Sequence, residues 1–159
     1  MTTPVAIRIQ ADDFSVADEI AAITSSRQDI GAVVTFSGIC RGGENADAIA
    51  AMTLEHYPGM AEEEIARHVA QATMRWPLQG VTVIHRYGRV VPGDNIVLVV
   101  TASAHREAAF QAAEFLMDYL KTNAPFWKSE ERVGADGLSH AWVDAKADDD
   151  HATARWHKS

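Results

Sequence analysis

The sequence predicts an α+β fold, with strands and helices following one another irregularly around one core. Three observations carry this expectation. Period-two alternation of apolar and polar residues recurs in short runs from Val5 onward. Two longer segments, 61–76 and 105–121, carry apolar residues at helical spacing instead. The order of these segments also lacks the regular strand–helix–strand rhythm of a doubly wound sheet.

The elements follow in order. Val5, Ile7 and Ile9 alternate with polar residues and read as a half-buried strand. Ser15 has the chemistry of a helix N-cap, with Asp18 three residues on and Val16, Ile20 and Ile23 on one face. Gly31 opens the apolar run AVVTFSG, a strand over 32–38, and the polar loop CRGGENAD follows. Alternation returns over 48–56, with Ala48, Ala50, Met52 and Leu54 on one side. A Tyr57-Pro58-Gly59 turn leads into AEEEIARHVAQATMRW, whose early glutamates suit the positive end of a helix dipole. Ile65, Val69, Ala72 and Trp76 form its stripe, and Pro77 stops it.

VTVIHRYG (81–88) and NIVLVVTAS (95–103) read as strands joined by RVVPGD as a turn segment. The second helix offers Ala109, Ala112, Ala113, Leu116 and Leu120 to the core and ends before Pro125. FWKSEERV and HAWVDA read as strands around a GADG hairpin. This gives one domain over 1–145 and a polar tail over 146–159, expected to be poorly ordered or to order only on a partner.

Composition limits the function. The 159 residues include 47% hydrophobic and 23% charged residues, enough for a core without disulfides. A formal charge of −8 argues against a broad nucleic-acid surface or a polybasic membrane patch. Cys40 is the single cysteine, which excludes an internal disulfide and fits a reducing compartment. The N-terminus lacks a signal-peptide pattern and no run is long enough to span a bilayer, so a cytoplasmic protein is expected. Seven histidines make no H-x-x-x-H or H-E-x-x-H pair, so no metal site is expected. No cofactor is expected either. His56 and His85, each in a strand, read as hydrogen-bonded or exposed side chains.

Cations are the informative group. The chain has four lysines, and two, Lys121 and Lys128, flank Ala-Pro-Phe-Trp in KTNAPFWKSE. Arg41 follows a strand end, while His105 and Arg106 stand where a strand yields to a helix N-terminus suited to anions. Together they suggest a pocket for an anionic ligand. His105 and Lys121 lie about 24 Å apart along a helix, so either the chain curls back or a second chain completes the pocket. Cys40 beside Arg41 reads as a buried small side chain in preference to a thiol nucleophile.

GAVVTFSGICR, LEHYPGM, RWPLQGVTVIHRYG, SAHR and FLMDYLKTNAPFWKSE closely resemble the large, catalytic subunit family of molybdopterin synthase. The match runs in order from Gly31 to Ala145. The resemblance implies an α/β-hammerhead-like core with an additional β-rich subdomain. It implies a sulfurtransferase of molybdenum cofactor biosynthesis that turns cyclic pyranopterin monophosphate into molybdopterin. It implies that both dithiolene sulfurs arrive as thiocarboxylates on the C-terminal glycine of a small ubiquitin-like carrier subunit. The assembly it implies is a homodimer of large subunits within a heterotetramer.

Carried over by position, Lys121 and Lys128 are the catalytic lysines. Ile39, Cys40, Arg41, Ser129 and Glu130 join them in binding substrate, together with His105 and Arg106 from the neighbouring large subunit. Ser129 stands where the family often has a second basic residue. The arginines suit bidentate phosphate binding, and a lysine beside Phe126 and Trp127 suits acid–base work. Phe126 and Trp127 themselves read as core more readily than as a pocket wall or dimer contact. A non-catalytic dimeric module that binds an anionic metabolite or a carrier tail is the alternative from the residues alone.

Overall fold

The computed structural model describes residues 3–43, 48–123, 125–134, 137–143 and 153–157. Its described elements are eight strands, three α-helices and a short 3-10 turn, arranged as two four-stranded sheets. The α+β expectation holds. The first sheet has the order β1 (Val5–Gln10), β4 (Leu78–Arg86), β6 (Asn95–Ser103), β2 (Ala32–Ile39). Only the β1–β4 pair is parallel in it; β4–β6 and β2–β6 are antiparallel.

Both faces of this sheet are covered, which explains the nearly unbroken apolar runs of β4 and β6. On one face Val81, Val83, Val97 and Val99 pack beneath α2 (Met60–Arg75) and α3 (Arg106–Thr122). On the other, Ile84, Leu98 and Val100 meet Phe14, Val16 and Ile23 at α1 (Val16–Thr24). A Cβ at Gly80 would come within 2.8 Å of Ile23, so α1 lies against bare backbone there.

The caps follow from sequence. The Ser15 hydroxyl accepts from the Asp18 N–H at 3.3 Å. Gly59, with φ +87°, enters α2 through a left-handed turn, and its N–H donates to Glu62 Oε2 at 2.6 Å. The alanines at 108, 109, 112 and 113 bring α3 close enough to β6 for the buried Thr101 hydroxyl to donate to Ala109 O at 2.7 Å.

The second sheet has the order β5 (Gly88–Val90), β3 (Ile49–His56), β7 (Phe126–Gly134), β8 (Gly137–Val143), all antiparallel. Its small core joins Met52, Leu54 and Val90 to Cys40.

Three expectations need correction. RVVPGD is not wholly a turn: Gly88–Val90 leaves the first sheet and pairs with β3, so the turn shrinks to 91–94. β4 begins at Leu78, directly after Pro77, three residues earlier than alternation suggested. Part of the tail is packed. Residues 153–157 close on a 3-10 turn at Arg155–His157, and Trp156 lies edge-on to Trp76 and Phe115. The tip of the expected hairpin, 135–136, lies outside the described residues, though Gly134 and Gly137 pair as such a hairpin requires.

Candidate active site

A cavity of about 250 Å³ opens between the two sheets beside the last turns of α3. Its wall includes Ile39, Cys40, Arg41, Lys121, Lys128 and Glu130. One chain thus brings together three cations from three places: the segment just after β2, the end of α3 and the strand β7.

Each is placed by local chemistry. Arg41 follows a clamp in which Cys40 N–H donates to Asp94 O and Gly93 N–H donates to Cys40 O, both at 2.8 Å. Gly93 meets this turn with φ +97°, and Asp94 Oδ2 accepts from the Val91 N–H at 2.9 Å. Lys121 stands in the last turn of α3, at the negative end of the helix dipole. Lys128 points inward because strand alternation puts Phe126, Lys128 and Glu130 on the cavity face. Glu130 is nearly buried and is held by Arg132, whose Nε and Nη2 both donate to its Oε2, at 3.0 and 2.6 Å. The wall is therefore cationic with one carboxylate set into it.

Alternation also sends Ser129 to the opposite face of β7, between Lys128 and Glu130, where it does not border the cavity. Trp127 goes the same way and meets Tyr57 edge-on at 4.8 Å, 42% exposed, so it neither joins the core nor walls the cavity. Phe126 does both: it lines the cavity and packs on the main core. His105 and Arg106 are exposed at the far end of α3 and do not reach the cavity of their own chain.

Cys40 is 2% exposed, and burial, followed by the fields of Asp94 and Glu130, pushes its thiol pKa up. A thiolate nucleophile is disfavoured there.

His85 is a cavity residue that sequence reasoning passed over. It lies flat on Phe126 with ring centroids 3.7 Å apart and planes 14° apart, joining the two sheets beneath the lysines. Its Nδ1 is 2.8 Å from Arg86 O, and a carbonyl can only accept, so Nδ1 carries the proton. Burial pushes its pKa down to about 4 and leaves the imidazole neutral. The available signal was parity: 85 shares the face of Val81 and Val83, which turns to the core.

The family model described as MoaE protein matches residues 9–123. A curated molybdopterin synthase catalytic subunit from Mesorhizobium japonicum is 61% identical over 153 residues, covering 96% of this chain and 94% of its own. The chain belongs to the MoaE family. Its curated relatives are catalytic subunits, so this MoaE-family chain is an enzyme subunit of molybdenum cofactor biosynthesis. Among solved structures, a MoaE protein from Burkholderia ambifaria superposes with a TM-score of 0.80 at 47% identity, covering 98% of this chain and 99% of its own. Molybdopterin synthase from Staphylococcus aureus superposes at 0.75 with 26% identity, over 86% and 95%. Among the described residues, no helix of this MoaE-family chain is long and apolar enough to cross a membrane.

Proposed function

We propose that the cavity is where cyclic pyranopterin monophosphate receives its two dithiolene sulfurs, one from each of two thiocarboxylated carrier subunits that dock in turn, each leaving with an ordinary C-terminal carboxylate. One observation carries the reading: a chain of formal charge −8 gathers Arg41, Lys121 and Lys128 around a single cavity. Substrate phosphate and carrier thiocarboxylate are both anions, and bringing them together requires fixed positive charge in a site sheltered from water. The name of the Mesorhizobium japonicum relative, a catalytic subunit, supports a second chain in the enzyme.

In this reading Arg41 grips the phosphate through its planar fork. Lys121 is the principal catalytic residue, acting on the carrier's terminal carbonyl or on the substrate's leaving groups. Lys128 orients the pterin phosphate and stabilises negative charge as it develops. Ile39, Cys40, Phe126 and His85 form the apolar part of the wall that excludes water. His105 and Arg106 enter from the neighbouring copy of this chain in a homodimer, within a heterotetramer that carries one small subunit at each end. That arrangement supplies the cations that a helix about 25 Å long keeps away from their own cavity.

The test is a single-turnover assay with cyclic pyranopterin monophosphate and thiocarboxylated carrier, following the dithiolene product. Lys121→Ala should lower transfer by at least about 100-fold, the scale of a lost acid–base group, while the thermal midpoint stays close to wild type. Normal turnover by that variant would remove Lys121 from the mechanism.

A further inference from the structure

Lys121 borders two hollows. One is the cavity; the other is an apolar groove on the outer side of α3, bounded by Val34, Phe36, Phe110, Met117 and, on its acidic side, Asp118. Asp118 precedes Lys121 by three residues, a spacing that makes the two side chains neighbours on a helix surface, with the acid N-terminal to the base in the favourable order. Left alone, this carboxylate draws the lysine toward the groove and away from the cavity.

The carboxylate is not left alone. Asp118 Oδ2 accepts from Arg155 Nη2 at 2.6 Å and from Trp156 Nε1 at 2.5 Å. Arg155 also reaches Glu114 Oε1 at 2.8 Å, one turn back along α3. Trp156 is fixed by more than this bond. Its ring stands edge-on to Trp76 and Phe115, the Arg75 guanidinium lies 5.4 Å from its centroid, and Arg75 Nη1 donates to its carbonyl at 3.1 Å. Lys121 has no ion pair among the described residues.

The geometry points to a positioning role for Arg155 and Trp156: by occupying the carboxylate of Asp118, the C-terminal segment keeps Lys121 available to the cavity. The segment touches neither cavity nor substrate. It acts on the reaction through the competition between Arg155 and Lys121 for one acid. This deepens the proposed function and rests on it in one respect only, that Lys121 does its work in the cavity.

Arg155→Ala combined with Trp156→Phe removes both donors to Asp118 and keeps an aromatic ring in the cage. At low ionic strength this variant should transfer sulfur about three- to fivefold more slowly, the range of a partly exposed ion pair, and salt should shrink the deficit. Adding Asp118→Asn should restore transfer to within about twofold, because the amide no longer competes for the lysine. A structural role for the segment predicts no such rescue. No deficit in the double variant, or a deficit that Asp118→Asn leaves in place, would overturn the inference.

A second readout does not need turnover. A crystal structure of the double variant should show Lys121 Nζ paired with Asp118 on the groove side of α3, and that of the triple variant should show it turned back to the cavity. A Lys121 side chain that stays on the cavity side in the double variant overturns the pairing. A side chain that swings to Asp118 in a protein that transfers no sulfur supports the pairing and overturns the functional reading instead.

Discussion

The two ends of α3 are built on opposite electrostatic terms. At the C-terminal end Lys121 meets the negative pole of the helix, and its acidic neighbour Asp118 is already engaged by Arg155 and Trp156. At the N-terminal end Arg106 sits in the first turn at the positive pole, a placement that costs about 0.3–1 kcal/mol and is offset in part by Glu107. His105 is the N-cap there, yet its side chain makes no capping bond. Lys121 thus has a structural reason to be where it is; Arg106 does not. Among the described residues neither His105 nor Arg106 makes a side-chain hydrogen bond or ion pair, which suits the proposal that they serve a neighbouring copy.

The sharpest way to break this comparison is to mix defective copies. Lys121→Ala and Arg106→Ala should each abolish most transfer on their own. If the two ends meet across a dimer, unfolding and refolding them together should restore roughly a quarter of wild-type activity. Half of the randomly formed dimers then hold one intact site and one dead site. Absence of any recovery would place Arg106 outside the site.

A smaller effect tests the cavity end through stability. The imidazole of His85 is depressed to about 4 in the folded chain, against an ordinary 6.5. The unfolded chain therefore binds the proton more readily. The contribution of neutral His85 is complete above pH 6.5 and is lost as pH falls from 6.5 toward 4, levelling off below. The full difference is on the order of 3 kcal/mol. Urea midpoints of His85→Phe should fall less steeply than wild type across that window; parallel curves would show that His85 does not control the slope.

The smallest effect belongs to Ser129. It faces away from the cavity, so Ser129→Ala should change transfer by less than about twofold and stability by no more than about 0.5 kcal/mol. A tenfold loss would mean that the outer face of β7 meets a reacting partner.

These contrasts also mark what the sequence could disclose. Local periodicity and capping chemistry were enough for β1, α1, β6 and α3, because each depends on neighbours within a few residues. β5 was hidden because three residues with an exposed arginine in the middle carry no alternation to read; its pairing with Met52, Thr53 and Leu54 is set by tertiary context. The same holds for the parallel β1–β4 pair, which joins segments some 76 positions apart at Val5 and Val81.

At the site, resemblance placed Arg41, Lys121 and Lys128 in one pocket, and the cavity contains all three. Strand parity would have set Ser129 apart, since 128 and 129 must face opposite ways. Trp156 gave no warning at all. One indole in a polar stretch has no helical stripe around it, and only the opening between Trp76, Phe115 and Arg75 makes it an anchor.

The reciprocal backbone bonds between Cys40 and the 93–94 turn have a consequence for how this protein can change. They fasten the chain immediately before Arg41, using groups that every residue type possesses. Lengthening or replacing the loop that follows Arg41 adds little closure entropy and leaves that fastening intact. The loop can therefore be remodelled while Arg41 stays at the cavity wall, so the chain on one side of that residue can vary without disturbing the other.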